Sequence, residues 1–158
     1  MIVFAVLLVS VCPVVLADEP IRLAQDPALS PNGKTLAFAW RGSIWSVPVA
    51  GGAATRLTRH LANDSAPAFS PDGKRIAFIS DREGNNQVFV MPAVGGMAEQ
   101  KVFHTEGYSI EEWFPDGQSL LVSVTRDHFW RRGERLARFE VAGGKAEQVL
   151  LDERSELL

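Results

Sequence analysis

Three near-copies of one short phrase constrain this chain more than any other feature in it. "SPNGKTLAF" begins at Ser30, "SPDGKRIAF" at Ser70 and "FPDGQSLLV" at Phe114, and they align without gaps. Their glycines, Gly33, Gly73 and Gly117, stand 40 and then 44 residues apart. A second marker keeps step. "VAGGAATRL", "AVGGMAEQK" and "VAGGKAEQV" place glycine pairs at Gly51 and Gly52, Gly95 and Gly96, and Gly143 and Gly144. Two independent markers in phase mean a duplicated unit, and a period of this length belongs to architectures that stack one supersecondary unit on the next.

Each unit resolves into four short strands. A brief segment with small or aromatic residues precedes the turn: Ala28 and Leu29, then Ala68 and Phe69, then Glu112 and Trp113. After it, "KTLAFAW", "KRIAFIS" and "QSLLVSV" set large residues (Leu36, Phe38, Trp40; Ile76, Phe78; Leu120, Val122, Val124) against mostly smaller apolar ones. Apolar side chains on both sides of the alternation mean that both faces are covered. The third segments, "SIWSVPV", "QVFVMPA" and "RLARFEV", run into the glycine pairs, and the fourth are the most polar, as an outer strand should be. In the turn, proline presets φ at about −65°, Asn or Asp bonds to local backbone, and glycine takes the left-handed conformation that closes it. Pro48 and Pro92 cannot donate a ladder hydrogen bond, so each is expected at a strand end or bulge; the third unit has Glu140 there.

Four antiparallel strands every forty-odd residues, with both faces buried, describe an all-β fold of β-propeller blades. The expected organisation is an N-terminal strand or linker over residues 18–27 and three blades over about 28–60, 61–104 and 105–151. Closed propellers have about four to eight blades. Three blades are therefore expected to be an incomplete propeller, the N-terminal part of a longer protein.

The "SPDGKRIAF" turn, the stretch "SDREGNNQVFVMPAVGG" from Ser80 to Gly96 and the "RLTRH" after a glycine pair resemble the TolB-like, WD-like propeller repeats. The resemblance runs from about Ile21 to Leu150. Beginning with "IRLAQDPALSPNGKTLAFAWRGSIWSVPVAGG", and with its longer third unit, the chain is most similar to the N-terminal propeller of exported bacterial tricorn-protease-like serine peptidases. That resemblance implies a noncatalytic segment that guides or filters peptides, followed by a second propeller, a PDZ domain and a serine-peptidase core. The implied partners are peptides or unfolded polypeptide and the other domains of the same longer chain. Two alternatives stay open: a TolB-like periplasmic propeller acting as a protein-binding module, and the propeller of a prolyl-oligopeptidase-type peptidase.

The N-terminus is of a different composition. Met1 to Ala17, "MIVFAVLLVSVCPVVLA", has no charged side chain and ends in Val15, Leu16 and Ala17, the pattern of a secretory signal peptide cut after Ala17. A retained anchor competes with this reading, but a span wants about 20 apolar residues and this run is shorter and broken by Pro13. Export to the periplasm or the extracellular space is therefore expected, with membrane contact only through the transient signal. Cys12 is the sole cysteine and would leave with it. The net charge of −3 provides no basic face for nucleic acid.

Chemistry within the chain is sparse. No "GxSxG" elbow, "HExxH", phosphate loop or Cys/His cluster with metal spacing is present, so no catalytic residue, cofactor or metal is assigned. His60 and His104 follow the outer strands of successive units and are expected on separate blades. Asp81, Asn85 and Asn86 fit a turn better than a calcium loop. Two features suggest contacts. Glu111 and Glu112 fall on the third inner strand, where a carboxylate would face the central channel and favour basic or N-terminal groups of a passing peptide, or else pair with a nearby arginine. "RDHFWRRGER" is expected as an exposed connection on which Arg126, Phe129, Trp130, Arg131 and Arg132 grip a partner, unless the aromatics cap the blade's own core.

Overall fold

The repeated turn is built the same way twice and differently the third time. A computed structural model of the chain describes residues 22–101, 107–128, 131–142 and 148–152. In the first unit Gly33 N–H donates to the Ser30 carbonyl at 2.8 Å, Lys34 N–H to Asn32 Oδ1 at 3.0 Å and Thr35 N–H to Ser30 Oγ at 2.9 Å. The second repeats this with Gly73 on Ser70, Lys74 on Asp72 and Arg75 on the Ser70 hydroxyl. Gly33 and Gly73 both have φ of 69°, a left-handed conformation that glycine adopts without steric cost. Phe114 has no hydroxyl to offer, so Asp116 Oδ1 accepts from both Gln118 N–H at 2.7 Å and Ser119 N–H at 3.1 Å.

Around these turns the described residues form twelve strands in three antiparallel sheets, each in simple chain order. The first comprises β1 (Gln25–Leu29), β2 (Thr35–Trp40), β3 (Ser43–Pro48) and β4 (Thr55–Arg56). The second comprises β5 (Asp64–Phe69), β6 (Arg75–Ser80), β7 (Gln87–Pro92) and β8 (Glu99–Gln100). The third comprises β9 (Tyr108–Trp113), β10 (Ser119–His128), β11 (Arg131–Glu140) and β12 (Gln148–Asp152). Pro48 and Pro92 end their strands, where no donor is required. β1 starts at Gln25, inside the segment 18–27 expected as an N-terminal strand or linker.

The core lies between the sheets. Ile76, Phe78, Phe89 and Met91 of the second sheet pack on Ala37, Ala39, Ile44 and Leu57 of the first. From the opposite face of the same sheet, Ala77, Ile79, Val88 and Val90 pack on Trp113, Leu120, Val122, Val124, Ala137 and Phe139 of the third. β6 is accordingly buried from Ile76 to Ser80, and each large side chain so covered contributes about 1.5–3 kcal/mol. On the other face of the first sheet, Trp40 and Trp45 meet edge to face with centroids 5.2 Å apart. Neighbouring sheets are also laced by backbone: Asp64 N–H donates to the Gly42 carbonyl at 3.1 Å, and 44 residues on Tyr108 N–H donates to that of Asn86 at 3.0 Å.

One expectation is corrected. The segment from Arg126 to Arg135 is the end of a ten-residue ladder, with Arg126 opposite Gly133, Asp127 opposite Arg132 and His128 opposite Arg131. Backbone pairing supplies the bonds along this ribbon, so it forms without the apolar alternation by which the other strands are recognised. Phe129 and Trp130, between the two strands, lie outside the described residues, as do His104 and the N-terminal residues 1–21.

Candidate functional site

The inner strands β1, β5 and β9 neighbour one another, and each is interrupted at the same place. Residues 26 and 27 oppose a single residue of β2, residues 66 and 67 a single residue of β6, and Glu111 is the extra residue of β9 opposite β10. Such bulges bend a strand and redirect its side chains. Asp26 and Ala66, each followed by proline, have φ of 50° and 47°. The strained amide of Ala66 is received by Asp26 Oδ2 at 3.0 Å, which ties the first inner strand to the second. Trp113 ties the second to the third, its indole N–H donating to the Ala68 carbonyl at 3.0 Å.

Glu111 and Glu112 take up two different positions at the third bulge. Glu111 Oε1 accepts a hydrogen bond from the buried Ser123 hydroxyl at 2.7 Å, so that carboxylate is held against its own sheet. Glu112 is exposed on the inner strand, opposite Leu121. The last β9–β10 pair is Tyr108 with Val124, so Arg126, Arg131 and Arg132 stand on a part of the β10–β11 ribbon that runs beyond the inner strand. The acidic pair and the basic segment are thus separate regions of the blade.

Elsewhere the polar residues serve the frame. His60 Nδ1 accepts from Ala62 N–H at 3.1 Å on the exposed link between the first two sheets. Asp81 Oδ1 accepts from Asn63 N–H at 2.8 Å, and its carbonyl accepts from Gly84 N–H, which makes "DREGNN" a turn. Arg82 forms an ion pair with the buried Asp64 at 3.0 Å while lying 4.3 Å from the Phe89 ring centroid. Among the described residues no group of three His, Cys, Asp or Glu could hold a metal.

Sequence reasoning missed the relation between successive turns. A side chain added at Gly73 would stand 3.6 Å from the Pro31 ring, and one at Gly117 would stand 3.7 Å from that of Pro71. The turns therefore stack along one rim, proline against the next glycine. Carboxylates at this rim are held below the ordinary range: Asp72 by the Ser70 hydroxyl and then the Lys74 amide, and Asp116 chiefly by the Gln118 amide. Placing the three "PxG" phrases side by side would have found the rim.

Four-stranded antiparallel sheets stacked face to face, with their first strands adjacent, define a β-propeller in which three blades are seen. Comparison with known families makes this specific. The chain belongs to the family described as the tricorn protease N-terminal beta propeller domain, which matches residues 21–157. It is 33% identical over 111 residues to a Bacillus subtilis (strain 168) protein named uncharacterized peptidase YuxL, covering 63% of this chain and 17% of that one. It is 32% identical over 95 residues to tricorn protease homolog 1 of Streptomyces coelicolor, covering 60% of this chain and 9% of that one. Among solved structures, putative TolB from Agrobacterium tumefaciens superposes with a TM-score of 0.67 at 23% identity over 82% of this chain and 48% of that one. The tricorn protease superposes with a TM-score of 0.60 at 15% identity over 80% of this chain and 18% of that one. The chain thus spans less than a fifth of either peptidase-named relative.

Proposed function

We propose that this chain is the noncatalytic N-terminal propeller segment of an exported tricorn-like serine peptidase, where it guides or filters peptides and packs against other domains of the same protein. The observation that carries this reading is the tricorn propeller family match, which runs across all three blades. Two further features support it. The uncharged run from Met1 to Ala17 suits an export signal, and the exposed Glu112 carboxylate on an inner strand suits contact with basic or N-terminal groups of a passing peptide. The rival is a TolB-like propeller that binds proteins and has no peptidase, favoured by the superposition on putative TolB.

A serine-directed fluorophosphonate probe separates the two in the native protein. Labelling of a polypeptide much larger than the 17.3 kDa of this chain is expected, and a folded native protein that is neither labelled nor able to cleave peptides overturns the peptidase reading in favour of the binding module. For the inner strand, Glu112→Ala in the native protein is expected to lower turnover of peptides with basic ends relative to acidic ones. Unchanged selectivity removes Glu112 from the path.

A further inference from the structure

Along the rim of stacked turns one junction is spanned by an arginine and the other has a threonine in its place, and a groove lies at each, that of the second junction being about 480 Å³ and lined by Arg75, Val141 and Ala142 among others. Between the second and third turns the gap is occupied by Arg75, whose guanidinium donates to the Gly117 carbonyl and lies 4.9 Å from the centroid of the Trp113 ring. Pro71 completes this setting, against Gly117. Shifting each of these positions to its counterpart in the preceding unit gives Thr35 for Arg75, Phe69 for Trp113, Gly73 for Gly117 and Pro31 for Pro71. All four counterparts line one groove of about 450 Å³ between the first and second turns, together with Asn32, Asp72 and Val94.

Thr35 is too short to reach across its junction as Arg75 reaches the Gly117 carbonyl. The rest of the setting is retained. Gly73 and Gly117 share a left-handed backbone, with φ of 69° and 63°, so their carbonyls are presented alike. Phe69 is half-buried and keeps an aromatic face where Trp113 has one. Asp72, whose bonds from Ser70 and Lys74 hold it ionised, adds a negative charge at the groove wall. An acceptor carbonyl, an aromatic face and a carboxylate together suit a planar cation that donates several hydrogen bonds and stacks, which is a guanidinium rather than an ammonium.

We propose that the groove between the first two turns is a recognition site for the side chain of an arginine on a polypeptide partner, seated as Arg75 is seated at the next junction. The site lies on the rim, where β5 ends at Phe69, and includes neither Glu111 nor Glu112; it requires no peptidase, so it stands or falls independently of the function proposed above.

The test is amide-shift mapping by NMR on the full chain, with acetyl-Gly-Arg-Gly-amide as probe and the lysine peptide as control. The arginine peptide is expected to shift amides around Thr35, Phe69 and Gly73 saturably and to bind about tenfold more tightly than the lysine peptide. Thr35→Arg fills the groove from within and should abolish the response, while Arg75→Thr should open a second site around Gly117. Phe69→Leu keeps the bulk, removes the ring and should weaken binding several-fold. Equal response to both peptides, shifts that avoid Gly73, or retained binding in Thr35→Arg overturns the proposal.

Discussion

The second and third blades share one frame and stabilise it with different chemistry. In the second, both faces of β6 are covered, by Ile76 and Phe78 toward the first blade and by Ala77 and Ile79 toward the third. Its turn relies on the Ser70 hydroxyl, and its buried Asp64 is matched by Arg82. In the third, the face turned away from the second blade mixes Leu121 with Ser123 and Arg138, and the turn relies on Asp116 alone for two amides. Arg138 covers the Phe114 ring at 4.6 Å from its centroid and pairs with Asp116. The frame therefore does not demand serine at the turn. It demands an acceptor for the amides that follow, together with an apolar face wherever another blade lies against it.

The largest test of this contrast is a cavity in the doubly covered blade. Phe78→Ala is expected to cost roughly 3–5 kcal/mol in denaturant unfolding, and Leu121→Ala on the partly covered face about 1 kcal/mol. Comparable losses would show that the two faces are equivalent after all. Next comes the buried pair. Arg82→Met leaves the Asp64 carboxylate uncompensated at a site where that side chain is wholly buried, and should cost about 3 kcal/mol by the same measurement. Arg138→Met, whose partner Asp116 is exposed, should cost far less.

Turn chemistry gives smaller effects. Asp116→Ala should lower the melting temperature more than Asp72→Ala, because Asp116 serves two amides where Asp72 and Ser70 share the work. Both carboxylates are held below their ordinary value of 3.8, so their contribution is complete above that pH and disappears as pH falls below it. Thermal melts between pH 5 and pH 2 should accordingly show a fall that is reduced in the double alanine variant, where those ranges are about the span over which such groups titrate. Smallest of all is Phe114→Ser, which exchanges the ring beneath Arg138 for a hydroxyl and should change stability by no more than about 0.5 kcal/mol.

What could be read from the sequence follows from what each feature needs. The turns and blades were legible because Pro-Asx-Gly fixes backbone angles locally and because β6 writes its two buried faces as an unbroken apolar run. The strand ends at Pro48 and Pro92 were legible for a covalent reason, the missing donor. The β10–β11 ribbon was not, since a ladder of backbone bonds between residues such as Arg126 and Gly133 leaves no apolar period to find. Inner-strand bulges were also hidden: proline at 27 and 67 marks two of them, but Glu111 marks the third without any such sign. Glu111 and Glu112 were legible as inner-strand residues, yet the sequence alone carries no sign that the Ser123 hydroxyl bonds to the first of these two exposed carboxylates.

The proline-to-glycine contact between turns has a direction. Each turn offers its neighbours two unlike surfaces, a ring on one side and a bare α-carbon on the other, so the contact is heterologous and leaves an unused copy of each surface at the two ends of the series. Whether such a series closes into a ring or winds on as a helix depends on the rotation per step. The spacing at Gly73 and Gly117 acts as a wedge whose thickness sets that rotation at one rim. A single methyl there would reach the neighbouring proline ring at an ordinary van der Waals distance, so it would fill the wedge without widening it, and its cost would fall on the left-handed backbone of the glycine instead.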